Sequence, residues 1–366
     1  MKAGSDVAVV GAGIVGLATA YALRQRGASV TVYDRGVPGA GQSGGDSRIF
    51  RHAHEDRRLV EWARESRSVY GRWEEELGAE LVSGDGAMFF GSAAARRLEL
   101  IEAVGGIDAR LIDPDEVAAR MPLLARRDEP ALFDADGGAI RAAGAVAALA
   151  GALRERFVGE EAVALHPRPE GTVELFTGGR RVEHGTVVVC AGTSTAVLAR
   201  SLGVTIPLRL TLHGRVAFAV RAEPPVQVAC LSDTTDLFGE PDMYGVASPD
   251  RSRFSVGVAE TLAREDLSLL APGEIGEADD RAAAYAAKAL PGVDPTPVGH
   301  RHCWVTELPW HEDGVGIWEA ESTLFLAGNN LFKHAPALGE ALAEAALGGA
   351  LRDDLRPAAR LGAASA

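Results

Sequence analysis

The stretch DVAVVGAGIVGLATAYALRQRGASVTVYD, residues 6–34, decides the fold. Its apolar start (Asp6–Val10) suits a β-strand and leads into Gly11–Gly16, a complete G-x-G-x-x-G motif. A helical pattern follows from Ile14 to Arg26, and a second strand pattern extends from Ala28 to Tyr33. Strand, glycine turn, helix and strand in this order predict a βαβ unit.

The glycines of this unit predict a dinucleotide-binding turn. Gly11 is expected to make the tight turn, Gly13 to let a pyrophosphate approach the backbone, and Gly16 to let helix and strand pack closely. The helix N-terminus, at Ile14 and Val15, would then face the phosphates, where its dipole favours negative charge.

Asp34 closes the second strand, where a carboxylate can accept hydrogen bonds from a ribose hydroxyl pair. Its neighbour Arg35 fits either a contact to a 2′-phosphate or a solvated surface arginine. The motif by itself does not separate FAD from NAD.

Composition narrows the class of protein. The chain has 366 residues, a formal charge of −14, 47% hydrophobic and 24% charged residues, which is typical of a globular protein of two to three domains. Its acidity disfavours nucleic acid and anionic membrane surfaces as partners. Three cysteines are too few for a disulfide framework, which favours a reducing, cytoplasmic setting. No apolar stretch is long enough for a membrane span.

The segment GQSGGDSRIFRH, residues 41–52, resembles the flavin loop of the sarcosine oxidase and N-methyltryptophan oxidase group. That group belongs to the D-amino-acid-oxidase-like family of FAD enzymes. The resemblance extends to Val187–Gly192, to Cys303 and to Phe325–Lys333. It implies FAD as cofactor and oxidation of the C–N bond of a small amino acid, or of a secondary or cyclic amine with a carboxylate. The products would be an imine and, with oxygen, hydrogen peroxide.

The resemblance also implies the fold, an α/β chain in which a Rossmann-type FAD-binding domain is interleaved with a β-rich substrate domain (a mixed antiparallel sheet plus helices). From the order of patterns along the chain, we expect the first domain at 1–85, 140–205 and 300–360, and the second at 86–139 and 206–299. Predicted helices cover residues 56–77, 113–121, 142–157, 274–290 and 336–351, and the alanine-rich tail from Pro357 is predicted to be disordered.

The family pattern implies three cationic site residues. Arg48 would lie beside the flavin, and Arg51 would bind the substrate carboxylate with its planar guanidinium; both could instead be surface arginines. Lys333 is one of only three lysines in the chain, and its family counterpart pairs with the same carboxylate. Arg51 and Lys333 would then form a cationic clamp.

Further cofactor contacts are carried over from the same pattern. They are expected at Ser43, Val163, Ala191, Gly192, Gly328, Asn329, Asn330, Leu331 and Lys333. Between Gly328 and Lys333 the chain is about two residues shorter than the family pattern. Cys303 falls where the group attaches the flavin through a cysteinyl sulfur, although it could be a structural cysteine, as we expect for Cys190 and Cys230.

Three family positions differ in this chain. Ser255 replaces a lysine associated with electron transfer to oxygen, and Ala259 and Gly44 replace histidines. Tyr244, counted here among the catalytic candidates, could fill the vacated space, as could His213 or His334.

These departures keep other functions open. One is an FAD-dependent amine dehydrogenase that uses an acceptor other than oxygen. The others are an NAD-linked dehydrogenase and a flavin-binding protein without turnover. No metal-ligand spacing, nucleophile elbow or P-loop appears in the sequence. We expect a monomer or weak dimer whose partners are the amine substrate and oxygen.

Overall fold

The computed structural model of the chain describes residues 6–258, 262–264 and 272–363. Its helices are α1 (Ile14–Gln25), α2 (Arg57–Leu77), α3 (Ala94–Val104), α4 (Pro114–Arg120), α5 (Ala142–Ala152), α6 (Thr195–Arg200), α7 (Pro272–Ala289) and α8 (Ala335–Ala346). Its strands are β1 (Asp6–Val10), β2 (Ser29–Tyr33), β3 (Ser47–Phe50), β4 (Ala87–Phe90), β5 (Ala109–Ile112), β6 (Ala131–Asp134), β7 (Gly138–Arg141), β8 (Phe157–Val158), β9 (Ala162–Pro167), β10 (Val173–Thr177), β11 (Arg181–His184), β12 (Thr186–Val189), β13 (Arg209–Val220), β14 (Cys230–Asp233), β15 (Met243–Ala247), β16 (Arg253–Val258), β17 (Leu262–Arg264), β18 (Val293–Glu307), β19 (Val315–Ala320) and β20 (Thr323–Gly328).

A six-stranded sheet with the order β19-β20-β12-β1-β2-β8 combines strands from the N-terminal and C-terminal parts of the chain. Its strands are parallel except β19, which pairs antiparallel with β20. Both faces of β1 are buried: Val7 and Val9 pack with α1 and α8, while Ala8 and Val10 join a second apolar cluster on the opposite face. A parallel sheet covered on both sides explains the uninterrupted apolar run in this strand. The predicted βαβ start is confirmed.

A larger, mostly antiparallel sheet has the order β17-β13-β16-β15-β14-β4-β6-β5, with β18 also paired to β13. The long strands β13 and β18 pair over most of their length, from Arg209 opposite Glu307 to Val220 opposite Val293. Helix α7 packs on β13, β16 and β18 around a second core that includes Tyr285, Phe218 and Phe254. The interleaved, two-part α/β fold is therefore confirmed.

Several predicted bounds differ from the structure. The helix expected to reach Phe157 ends at Ala152, because residues 157–158 form β8 beside β2. The last helix ends at Ala346 rather than residue 351, since Gly348 follows with φ of 94° and breaks the helix. Between Arg181 and Val189 the chain forms two strands, β11 and β12, which are divided at Gly185 and belong to different sheets.

The predicted disorder from Pro357 is wrong for residues 357–363. Leu361 is 1% exposed, and its carbonyl oxygen accepts a hydrogen bond of 3.0 Å from Val315 N beside β19. The next backbone amide, Gly362 N, donates to Asp56 Oδ2 at 2.8 Å. Contacts with residues far away in sequence therefore order a segment whose composition is typical of a mobile tail.

Candidate active site

One cavity of about 770 Å³ joins the edge of the six-stranded sheet to the face of the larger sheet. At one end lie the glycine turn after β1 and Asp34 after β2, and at the other lie Arg51, Tyr244 and Lys333. The predicted site residues that line it are Gly11, Gly13, Ile14, Val15, Asp34, Arg35, Ser43, Arg48, Arg51, Ala191, Gly192, Tyr244, Cys303, Gly328, Asn329, Asn330, Leu331 and Lys333. Residues far apart in sequence thus share one elongated space.

The glycine turn is as crowded as its motif requires. Gly11 has a φ of 104°, and a Cβ there would lie 2.4 Å from the carbonyl oxygen of Cys190. A Cβ on Gly16 would lie 2.0 Å from the carbonyl oxygen of Gly11, so this glycine packs inside the turn and does not line the cavity. Gly13 borders the cavity at the start of α1 and leaves its backbone accessible.

Two side chains organise the backbone around this turn. Ser43 Oγ accepts a hydrogen bond of 2.9 Å from Ile14 N, and the Asp34 carboxylate accepts hydrogen bonds from Ala12 N at 2.6 Å and Gly36 N at 2.8 Å. Asp34 is therefore held at the end of β2, where it lines the cavity. Arg35 forms an exposed ion pair of 2.9 Å with Glu161, which fits the surface-arginine interpretation.

Val163 does not border the cavity, in contrast to our expectation. Its side chain is 52% exposed, whereas the preceding residue, Ala162, lines the cavity. Successive residues of a strand point to opposite faces, so β9 directs Val163 away from the site.

Hydrogen bonds from Arg48 stabilise the predicted flavin loop. Its guanidinium donates hydrogen bonds to the carbonyl oxygens of Ser47 and Gln42, each at 2.9 Å, and to that of Gly44. Arg215, on β13, donates to the same Ser47 oxygen at 3.0 Å. Burial, together with the neighbouring Arg215 charge, lowers the pKa of Arg48. The loop is thus closed by two guanidinium groups that meet at one carbonyl.

The two residues of the predicted clamp lie close together. Arg51 Nη2 and Lys333 Nζ are each 3.8 Å from the carboxylate of Asp313, and both residues line the cavity. Arg51 also donates to the carbonyl oxygen of Ala53. Burial lowers the pKa of Lys333 to about 8, although Asp313 opposes this shift. The Lys333 and His54 side chains, with Arg51, hold the pKa of Asp313 well below its ordinary value despite burial.

Sequence reasoning missed Asp313 and two further charged groups. Arg97 lines the cavity, packs its guanidinium 4.0 Å from the Phe89 ring centroid and pairs with Glu55 at 2.8 Å. Glu312 also lines the cavity, and burial with the adjacent Asp313 raises the pKa of its carboxyl. No local motif marks these residues, because helix α3 brings Arg97 to the site and the turn before β19 brings Glu312 and Asp313 from a separate part of the chain.

The pairing of β13 with β18 places His213 directly opposite Cys303, and both line the cavity. Tyr244 approaches from β15: a Cβ on Gly257 would lie 2.3 Å from Tyr244 Cζ, so this glycine makes room for the phenol ring. Burial raises the pKa of Tyr244. The hydroxyl therefore stays protonated near neutral pH and can donate a hydrogen bond into the cavity.

The other residues singled out by the sequence lie outside the cavity or border it elsewhere. Ser255 pairs with Ala217 and Val246 in the larger sheet and does not line the cavity; position 259 lies outside the described residues. His334 is buried beside His54. Burial raises the pKa of both Cys190, to about 12, and Cys230, as expected for structural thiols.

Comparison with known proteins places these features in context. A family model described as "FAD dependent oxidoreductase" matches residues 6–345. A search of curated proteins finds no match. Among solved structures, NikD, "an unusual amino acid oxidase essential for nikkomycin biosynthesis", aligns with a TM-score of 0.82 and 21% identity over 99% of this chain and 98% of its own.

Two other solved structures show the same fold. L-proline dehydrogenase from P. horikoshii has a TM-score of 0.82 and 20% identity, and the alignment covers 97% of each chain. Glycine oxidase from Geobacillus kaustophilus has a TM-score of 0.77 and 19% identity over 98% of each chain. Within the described residues, no helix combines the length and apolarity that a membrane crossing requires.

Proposed function

We propose that this chain, which belongs to the FAD-dependent oxidoreductase family, oxidises the C–N bond of a small amino acid or of a secondary or cyclic amine that carries a carboxylate. The product would be an imine, and with oxygen as acceptor the second product would be hydrogen peroxide. One observation carries the proposal: a single cavity joins the dinucleotide turn to the clamp of Arg51 and Lys333.

The cavity residues fit FAD. The turn at Gly11 and Gly13 has no side chain that would block a pyrophosphate, and the N-terminus of α1 adds a favourable dipole. Asn329 lines the cavity with a buried Nδ2 that has no hydrogen-bond partner among the described residues, and a carbonyl or ring acceptor of the cofactor would satisfy it. FAD bound there would accept two electrons from the substrate carbon and pass them to the final acceptor.

The residues of the protein would position the substrate and supply charges that bind it. Arg51 and Lys333 would bind the substrate carboxylate and fix its α-carbon in the cavity. Arg48 keeps the loop from Gln42 to Ser47 closed beside the reacting groups. Tyr244 can donate a hydrogen bond from its protonated hydroxyl to a substrate atom. Glu312 offers a carboxylate that could take up the proton of the substrate ammonium group, whose nitrogen must be neutral for oxidation.

We further propose that Cys303 holds FAD covalently. Its thiol lies in the cavity wall on β18, and the guanidinium groups of Arg48 and Arg301 border the same space. Formation of a bond from Cys303 Sγ to the 8α carbon of FAD would release the thiol proton and one 8α proton and leave two electrons on the flavin, which oxygen would then take up.

The alternative with a specific observation in its favour is an FAD-dependent dehydrogenase. Ser255, at the position where the family pattern has a lysine, is uncharged and lies outside the cavity wall. Photoreduction of the enzyme followed by mixing with oxygen distinguishes the two. An oxidase is reoxidised within seconds, whereas a dehydrogenase stays reduced until an artificial acceptor is added.

The proposal is tested by purifying the protein, recording its visible spectrum and screening N-methyl, cyclic and D-amino acids. We expect a yellow protein whose absorbance bleaches under anaerobic conditions with at least one carboxylated amine. The matched variant Lys333→Met should raise KM for that amine by at least tenfold and keep its flavin. A colourless protein that takes up no FAD would refute the proposal, and a flavin that no amine reduces would favour a non-catalytic role.

A further inference from the structure

We propose that Asp313 is a positioning residue behind the clamp, which orients Arg51 and Lys333 and leaves them with one net positive charge. The site would therefore select substrates with a single carboxylate at that end. This inference rests on the proposed function and deepens it, because it specifies the charge of the substrate.

The Asp313 carboxylate bridges the clamp symmetrically. Oδ2 lies 3.8 Å from Arg51 Nη2, and Oδ1 lies 3.8 Å from Lys333 Nζ. Arg51 and Lys333 line the cavity, but Asp313 does not, and its side chain is 9% exposed. The two cations thus stand between Asp313 and the cavity, so the carboxylate acts on a ligand through them.

Hydrogen bonds with two neighbours fix Asp313 in this place. Asn330 Nδ2 donates a hydrogen bond of 2.6 Å to Oδ1, and the Asp313 amide donates to His311 Nδ1 at 3.0 Å. His54 Nδ1 lies 3.4 Å from Oδ2, and burial lowers the pKa of His54 to about 3. His334 is buried next to His54, and burial lowers its pKa as well. Both histidines are therefore uncharged at neutral pH and do not alter the balance of charge.

The charges at the clamp end of the cavity then favour one carboxylate. Arg51 and Lys333 contribute two positive charges, and Asp313 contributes one negative charge. Arg97 is already paired with Glu55, and Glu312 adds negative charge that would repel a second carboxylate. The other guanidinium groups of the cavity wall are at the flavin loop: Arg48 and Arg215 donate to the Ser47 carbonyl oxygen, and Arg301 packs against Gly44. A second carboxylate held at the clamp would therefore lie without a cationic partner, at a cost in affinity.

Replacing Asp313 should change both cations. Asp313→Asn removes the negative charge that favours the protonated form of Lys333, so Lys333 loses its proton at lower pH. While both cations stay charged, the clamp of the variant carries two net positive charges and therefore binds a ligand with a second carboxylate more tightly than wild type does. A purely structural role of Asp313 predicts neither effect.

The test titrates the FAD-loaded enzyme with propionate and with succinate from pH 6 to pH 9.5, following the flavin spectrum or the heat of binding. We expect wild type to prefer propionate over succinate by at least tenfold and to lose propionate affinity above about pH 8. Asp313→Asn should move this loss down by at least one pH unit and reduce the preference for propionate at pH 6. In a Lys333→Met background, Asp313→Asn should leave the pH curve unchanged.

Asp134→Asn is the matched control. Asp134 is a buried acid that accepts hydrogen bonds from His52 and lies outside the cavity wall, so its variant should keep the wild-type curve. An Asp313→Asn enzyme with the wild-type pH curve and selectivity would overturn the inference alone. If Asp313→Asn does not fold, the affinities of the wild-type protein test the inference. Equal affinity of wild type for propionate and succinate would overturn it. Wild type that binds FAD but no propionate would refute the proposed function and this inference together.

Discussion

We propose that Lys333 is the residue whose ionisation most directly controls ligand binding. Burial lowers its pKa from the ordinary 10.5 to about 8. It is charged below this pH and neutral above it, so its attraction for a carboxylate is complete near pH 7 and disappears as the pH rises past 8. The Kd of a simple carboxylate should therefore increase about tenfold per pH unit above this point.

Lys333→Arg provides the control for this first prediction. A guanidinium keeps its charge throughout this range, so the alkaline weakening should disappear in the variant. The binding curves are measured with propionate from pH 6.5 to pH 9.5. The same alkaline weakening in both proteins would show that another group is responsible.

Cys303 carries a second prediction at the residue scale. Acid precipitation of the wild-type protein should leave the yellow colour in the pellet, because a thioether to the flavin survives denaturation. Cys303→Ala should release all flavin into the supernatant. Cys190→Ala is the matched control, because Cys190 also borders the cavity but burial raises its pKa to about 12 and keeps it protonated. Colour retained by Cys303→Ala would exclude the linkage.

The position of motif residues at the cavity could be predicted from the sequence, whereas that of isolated partners could not. Gly11 and Gly13 were identifiable because the turn, the helix and the strand follow one another in sequence. Lys333 was identifiable because lysine is rare in this chain. Nothing in the local sequence marks Asp313. The role that we propose for it depends on its contact with Arg51, far upstream in the sequence, and on burial, and no short sequence pattern encodes either.

At the scale of elements, helix α2 shows how a cap can join distant segments. Asp56 Oδ1 accepts a hydrogen bond of 2.9 Å from Arg58 N at the helix start, while Oδ2 accepts one of 2.8 Å from Gly362 N. Asp56→Ala would remove the cap and leave a buried amide without a partner. We expect a loss of about 2–3 kcal/mol in the free energy of unfolding, measured by urea denaturation.

Asp113→Ala is the matched comparison, because Asp113 caps α4 through Asp115 N and Glu116 N and, in the part of the chain that the structure describes, has no distant hydrogen-bond partner. We expect a loss of about 1 kcal/mol there. Limited proteolysis should cut near residues 357–363 in Asp56→Ala but not in Asp113→Ala. Equal effects of the two substitutions would show that the contact with Gly362 contributes nothing.

Most helices and central strands could be predicted, whereas the ends and the tail could not. The starts of α1 and α2 are encoded locally by the glycine turn and by Asp56. By contrast, β8 depends on pairing with β2, and the packed tail depends on Asp56 and Val315. Pairing across long sequence separations leaves no periodic trace in the segment itself.

At the scale of the whole molecule, the chain alternates between its two large sheets. We retain the proposed division into two domains, one formed by residues 1–85, 140–205 and 300–360 and the other by residues 86–139 and 206–299. Strand β18 begins at Val293 beside the core of the larger sheet and reaches Cys303 in the cavity wall. Because the cavity is bounded by both sheets, a ligand that fills it should stabilise both together.

The last prediction uses this coupling to identify the cofactor. In the Cys303→Ala protein stripped of flavin, FAD at 100 times its Kd should stabilise the fold by about 2.7 kcal/mol, because it binds only the native state. NAD at the same concentration should leave the melting temperature unchanged. Hydrogen exchange should slow in α1 and in β15 alike, since both elements border the cavity.

Gly13→Val, which places a side chain where the pyrophosphate approaches, should abolish the FAD response without lowering the melting temperature of the stripped protein by more than a few degrees. Stabilisation by NAD, or protection of α1 without β15, would contradict a cofactor that spans the two sheets.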